Sequence, residues 1–197
     1  MVYNTVDLQI KGMKIRKQEI RKEMIRCLRE QESSLREERS LNIQLKLLSS
    51  EVFKTSKTVM TYVSLPMEVD THYLIEQALK QGKRVVVPYI GPHSQTITAS
   101  EIKSMNNLEK GPLNIFQPKK GEQVTVALTE IDLIIVPAVA YDKKNMRLGR
   151  GKGFYDKFLS DPDVSSVKTI GFAFDFQVVD SLPVDSYDRP VTSVITN

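Results

Sequence analysis

Cysteine is nearly absent from this chain of 197 residues, and histidine is scarce: Cys27 stands alone, with His72 and His93. A lone cysteine excludes an internal disulfide and sits comfortably in a reducing cytoplasm, the expected location. Cys27 falls on a helical apolar stripe and is expected as a small core residue, not a nucleophile. Two histidines exclude a histidine-rich metal site, and each reads as a surface residue. No apolar run approaches the ~20 residues of a membrane span. Residues 1–13 lack the apolar core of a secretory signal. They are expected to be an N-terminal extension, disordered or foreign to the domain, with Met13 as an alternative start. Long basic tracts, zinc-finger spacing and an aromatic RNA-binding signature are missing too. The net charge of +4 and the pI near 9.0 therefore permit nucleic acid without arguing for it. Bases are mixed with acids, as in Arg36-Glu37-Glu38-Arg39, and an acidic small molecule accounts for the balance equally well. Neither nucleic acid nor membrane is an expected partner.

What remains is an ordinary globular composition, 41% apolar and 26% charged, with no internal repeat. One α/β domain over residues 14–197 is expected, with a monomer as the default. Its most unusual stretch is Arg147-Leu148-Gly149-Arg150-Gly151-Lys152-Gly153-Phe154-Tyr155-Asp156. Three glycines alternate with basic residues between an upstream strand and a downstream helix. Glycine lets backbone approach a ligand closely. A basic loop that opens a helix offers free N–H groups and the positive end of the helix dipole to an anion. The stretch is not a Walker A loop, because Gly153 follows Lys152 where serine or threonine would hold Mg²⁺. It is not a dinucleotide fingerprint either, because Phe154 replaces the last glycine. A phosphate cradle and a solvated surface loop are the two readings.

Upstream, apolar spacing predicts a helix over 14–30, with Ile20, Met24, Cys27 and Leu28 on one face. Lys17 and Arg21 project onto or beside that face. Two cations one turn apart either snorkel their heads into water or hold an anion between them. A second helix is expected over 33–53, with Leu41, Ile43, Leu45, Leu47, Leu48 and Phe53 as its apolar members. Thr58–Val63 reads as a strand. Asp70 reads as the N-cap of a helix over 71–81, with Gly82 after its end, and Arg84–Pro88 reads as the next strand. Residues 91–130 are expected to be a polar excursion with short strands, Gln95–Ile102 among them, on or near the substrate side. Asp132–Val136 is a strand apolar on both faces, Lys168–Phe172 another, and Val191–Thr196 the last. Alternating strands and helices predict a three-layer domain with a mostly parallel central sheet flanked by helices. Ligands gather at the carboxyl ends of such strands, so Glu68 and the glycine loop should share one cleft.

Asp132-Leu133-Ile134-Ile135-Val136-Pro137-Ala138-Val139-Ala140-Tyr141-Asp142, followed by the glycine stretch, resembles the signature of the 5-formyltetrahydrofolate cyclo-ligases, also called methenyltetrahydrofolate synthetases. Lys17-x-x-x-Arg21, Leu65-Pro66-Met67-Glu68-Val69-Asp70-Thr71 and Leu182-Pro183-Val184 with Asp188 agree in order and spacing. The resemblance covers residues 14 to 197. It departs at Ala138, where glycine is expected, and at Met67, where small residues are frequent.

The resemblance implies ATP-dependent closure of 5-formyltetrahydrofolate to 5,10-methenyltetrahydrofolate through a phosphorylated formyl group, with ADP and phosphate released. It implies that Lys17, Arg21 and residues Arg147, Leu148, Gly149, Arg150, Gly151, Lys152, Gly153, Phe154 and Tyr155 bind ATP. Arg150 and Lys152 neutralise charge during transfer. On the same resemblance Asp156 and Asp188 would hold Mg²⁺, and Val63, Glu68 and Tyr155 would bind the folate. The residue-level alternatives are a dipole-complementing carboxylate for Asp156, a turn aspartate for Asp188, a solvated glutamate for Glu68 and a core aromatic for Tyr155. A sugar-phosphate isomerase or acyl-CoA transferase on a similar scaffold is the rival enzyme reading. A non-catalytic nucleotide- or nucleic-acid-binding protein is the rival outside catalysis.

Overall fold

β-branched and aliphatic residues dominate four short stretches that become the middle of the sheet. In the computed structural model, which describes the backbone of residues 3–197 and side chains from residue 12 onward, those stretches pair in parallel. In chain order the elements are helix α1 (Tyr3–Glu30), α2 (Ser33–Ser49), α3 (Glu51–Thr55), strand β1 (Thr58–Thr61), α4 (His72–Lys80), β2 (Arg84–Tyr89) and β3 (Thr98–Ile102). Then come β4 (Leu108–Lys110), β5 (Phe116–Pro118), β6 (Val124–Thr125), β7 (Leu133–Val136), β8 (Ala140–Asp142) and β9 (Arg147–Leu148). Helix α5 (Phe154–Leu159), β10 (Lys168–Phe172), β11 (Val178–Val179) and β12 (Ser193–Ile195) complete the chain. The main sheet has seven strands in the order β12-β10-β7-β1-β2-β3-β6. Every pairing from β12 to β2 is parallel, and β3 is antiparallel to both its neighbours.

Alternation along the strands divides the core into two layers. Val59, Val85, Val87, Leu133 and Ile135 face helices α2 to α4, joining Ile43, Leu47, Phe53, Leu74 and Ile75. Met60, Val86, Ile134 and Val136 face the other way, onto Phe158, Val164 and Val191. β1 and β7 are buried on both faces, as the middle of a parallel sheet requires. The expected three-layer architecture is the one observed. No helix among the described residues is long and apolar enough to cross a membrane.

The departures are local. The helix expected over 14–30 starts at Tyr3; Met1 and Val2 of the expected extension lie outside the described residues, as do the side chains up to residue 11. Cys27 is half-buried, and Leu28 beside it takes the core position. The helix expected over 33–53 is broken at Ser50, whose backbone is extended and whose hydroxyl accepts from Phe53 N, so a new helix is capped there. The buried face of α2 is Ser40, Ile43, Gln44 and Leu47. Leu41 and Leu45 fall off that face and are 41% and 45% exposed. The N-cap of α4 is Thr71, one residue beyond Asp70, whose carboxylate still accepts from His72 N at 2.8 Å. Gly82 follows α4 at φ +71, as placed from sequence. The stretch 95–102 is a strand only from Thr98. A three-stranded sheet, β11-β8-β9, was not anticipated; α1 rests on it through Ile20 and Met24.

Candidate active site

The carboxyl edge of the parallel sheet opens into a cleft. β1 leads through Tyr62 and Val63 to Leu65 and Glu68; β7 leads to Pro137 and Ala138; β2 contributes Pro88 and leads to Ile90. The glycine stretch from Gly149 to Asp156 forms the facing wall. Glu68 and the basic loop therefore meet in one cleft, as expected of two loops that follow the carboxyl ends of parallel strands.

The loop is shaped by its glycines for two different reasons. Gly151 and Gly153 adopt φ of +97° and +72°, which side-chain-bearing residues reach only with strain. Gly149 has no such need. A Cβ there would sit 2.6 Å from Arg147 Nη1, so the missing side chain is what lets the Arg147 guanidinium lie against the backbone. Arg147 is itself buried, its side chain only 3% exposed, and Nη2 donates to Asp156 Oδ1 at 2.5 Å. The guanidinium also lies 5.7 Å from the centre of the Tyr155 ring. Leu148 turns its side chain into the small apolar cluster with Ala140 and Leu182, away from the cleft.

Helix α1 delivers two cations to the same region. Lys17 is 7% exposed, which decides against snorkelling. Its ammonium lies 3.0 Å from Asp185 Oδ2 and 2.5 Å from Asp188 Oδ2. Burial alone would lower its pKa; the hydrogen bonds and charges of Asp188 and Asp185 outweigh that, and the net shift is upward. Arg21 Nε donates to the Gly149 carbonyl at 2.8 Å, and its guanidinium packs over Gly151. Asp188 and Asp156 both act on Arg21 electrostatically, against a larger desolvation effect. Asp188, bonded to Lys17, also acts on Arg21 electrostatically and so offsets the repulsion their spacing implied.

Across the cleft, Glu68 accepts from Leu65 N through Oε2 at 2.9 Å and from Arg150 Nη2 and Nε through Oε1 at 3.0 and 3.2 Å. Lys152 is exposed and forms no ion pair among the described residues. The Tyr155 hydroxyl is buried with no hydrogen-bond partner among the described residues, and burial pushes its phenol far above the ordinary value. Val63 lies in the cleft wall beside Tyr62. No group of three or more histidine, cysteine, aspartate or glutamate residues is arranged to hold a metal among the described residues. Asp156 Oδ2 and Asp188 Oδ1 are the carboxylate oxygens left without a hydrogen bond from these residues.

The sequence placed residues 91–130 near the substrate side but did not reveal the apolar wall they help to build. That wall is formed by Pro88 and Ile90 at the end of β2, Ile97 from the polar excursion, and Leu113 and Ile115 from the β4–β5 hairpin. Leu113 adopts φ +61 and stays 49% exposed. A leucine in a left-handed conformation carries no signature in sequence. Tyr141 lies beneath the cleft; its hydroxyl donates to Val136 O, and its ring fills the space a Cβ on Gly171 would need. Phe116 lines a separate groove with Arg36 and His72.

A parallel α/β sheet with a largely apolar cleft at its carboxyl edge, faced by a basic glycine loop and by Glu68, is the architecture of an enzyme that binds small molecules. Within that class the chain belongs to the 5-formyltetrahydrofolate cyclo-ligase family, whose model matches residues 13–197. It is 36% identical over 140 residues to a 5-formyltetrahydrofolate cyclo-ligase of Escherichia coli (strain K12), covering 71% of this chain and 77% of that one. The cyclo-ligase of Mus musculus is 32% identical over 187 residues, 91% of this chain and 92% of its own. Among solved structures, a 5,10-methenyltetrahydrofolate synthetase from Aquifex aeolicus superposes with a TM-score of 0.80 at 33% identity, covering 91% of this chain and 89% of that one.

Proposed function

We propose that this protein catalyses the ATP-dependent cyclisation of 5-formyltetrahydrofolate to 5,10-methenyltetrahydrofolate, acting as a monomer in the cytoplasm. The observation that carries this reading is the Glu68–Arg150 contact at 3.0 Å. It puts an acceptor suited to the N–H edge of a pterin within one hydrogen bond of a loop suited to a triphosphate.

A formamide oxygen leaves poorly. Transfer of the γ-phosphoryl group to that oxygen forms an O–P bond, breaks the bond to ADP and gives an electrophilic iminium phosphate. N10 of the same molecule then attacks the formyl carbon. The C–N bond forms, the C–O bond breaks, phosphate departs, and the N10 proton passes to phosphate or water. The protein's contribution is positioning and charge neutralisation. Arg150 and Lys152 stabilise charge as the phosphoryl group moves. Arg21 and Lys17 hold phosphates from the α1 side, with Arg147 and the backbone of residues 148 to 155 as the cradle. Glu68 and Val63 receive the pterin, and the neutral Tyr155 hydroxyl is an unspent donor toward it. The two unoccupied carboxylate oxygens of Asp156 and Asp188 are hard donors of the kind Mg²⁺ takes, one or two per ion beside substrate phosphates. Bound there, Mg²⁺ would neutralise phosphate charge.

The test is the growth of near-ultraviolet absorbance of the methenyl product at neutral pH, with 5-formyltetrahydrofolate and Mg-ATP. Growth should require protein, folate, ATP and metal, with one ADP formed per methenyl. A folded protein that gives no absorbance change would overturn the reading.

A further inference from the structure

The ion pairs of the cleft form a pattern that the reaction itself does not demand. Each carboxylate assigned to metal or pterin is already held by a cation assigned to phosphate: Asp188 by Lys17, Asp156 by Arg147, and Glu68 by Arg150. The first two pairs lie within the nucleotide's own half of the site. The third spans the two halves, joining the loop after β1 to the glycine loop 82 positions later.

Both oxygens of Glu68 are occupied, one by Leu65 N and one by the Arg150 fork. Its side chain is only 13% exposed, whereas that of Arg150 is 43% exposed. Arg150 is therefore the partner free to swing away. A pterin edge presenting two N–H groups to Glu68 competes with Arg150 for Oε1, and a phosphate that draws Arg150 into the glycine loop competes with Glu68 for its Nε–Nη2 edge. Resting on the functional reading above, we infer that the Glu68–Arg150 pair is a latch shared by the two substrate sites, and that its opening by one substrate makes binding of the other tighter. Whichever ligand arrives first breaks the pair alone; the second finds its own residue already released. Coupling of this kind is reciprocal by thermodynamic necessity.

The measurement is calorimetric titration of 5-formyltetrahydrofolate into the full chain, with and without a saturating non-hydrolysable ATP analogue and Mg²⁺. The wild-type protein should bind folate about fivefold more tightly with the analogue present. The reverse titration should give the same factor. Arg150→Gln removes the competitor for Glu68. Folate alone should bind this variant more tightly than it binds wild type, and the analogue, raised until it saturates the weakened site, should add nothing. Coupling that persists in Arg150→Gln would assign it to contact between the two ligands and overturn the latch. Wild-type folate binding that ignores the analogue would overturn it too, while leaving the functional reading intact. No folate binding by the wild-type protein would remove both.

Discussion

Lys152 stands between two glycines held at positive φ, exposed and without an ion pair among the described residues. Nothing in the fold depends on its ammonium group, so its loss should separate catalysis from stability. Lys152→Ala is expected to lower turnover by about 100-fold or more, with an unchanged circular dichroism spectrum and unfolding midpoint. Near-normal turnover by that folded variant would strip Lys152 of its phosphate role. His72 offers a second separation. Its ring lies 2.7 Å from Asp70 Oδ2. That hydrogen bond raises its pKa, and burial opposes it less strongly. Burial pushes Asp70 up, but the hydrogen bonds and charge of His72 prevail and its pKa falls. The pair therefore stabilises the fold fully between about pH 4 and pH 6.5. The contribution fades as pH rises through the raised value of His72 and as it drops through the lowered value of Asp70. Both groups are half-exposed, so it should be worth no more than about 1 kcal/mol. The melting difference between wild type and His72→Gln should be largest near pH 6 and shrink toward pH 9; a flat difference would refute it. At this scale the sequence exposed Lys17, Arg21 and the glycine loop, because unusual residues at unusual spacing are visible without coordinates. It could not expose Asp185 as a partner of Lys17, 168 positions away, or Arg147 as the reason residue 149 must be glycine.

Elements were legible where packing repeats and illegible where it does not. β1, β2 and β7 are runs of β-branched and aliphatic residues, the pattern that burial on both faces imposes. β8, β9 and β11 are two or three residues long, too short for any period, and so the sheet beneath the glycine loop went unread. The break at Ser50 went unread because serine is tolerated within helices as well as before them. A subtler junction links α2 to α4. Gln44, buried on the inner face of α2, accepts from Leu74 N at 2.8 Å, while its amide donates to Ser40 O. One of the unbonded N–H groups in the first turn of α4 is thus satisfied by another helix. Gln44→Leu keeps the bulk and removes the acceptor. It is expected to cost about 1–3 kcal/mol, visible as a lower urea midpoint at unchanged slope. An unchanged midpoint would show that the contact contributes nothing net.

At the scale of the molecule, the cleft is lined by the loop after β1, the β4–β5 hairpin and the glycine loop, with α1 and the turn near Asp188 joined to the last through Arg21 and Lys17, so ligands that fill it should tie distant segments together. Mg-ATP at about 100 times its dissociation constant should stabilise the folded state by about 2.7 kcal/mol. For a chain of this length that raises the melting temperature by roughly 5–10 °C. A melting temperature indifferent to Mg-ATP would mean that no nucleotide binds. The mostly parallel sheet was legible as a class; its order was not, because β7 inserts between β1 and β10 and no local pattern announces which strands become neighbours. That insertion has a consequence during synthesis. β1 is central in the finished sheet, yet its partner on one side, β7, follows far behind: Thr58 N is bonded to the side chain of Asp132, 74 positions later. At about 5–20 residues per second on a ribosome, the earlier part of the chain must wait several seconds with a bare strand edge. An unpaired edge of that kind invites pairing with any neighbouring chain. Nascent fragments that end before β7 are the species most exposed to aggregation, and a chaperone that holds the emerging chain would act on β1.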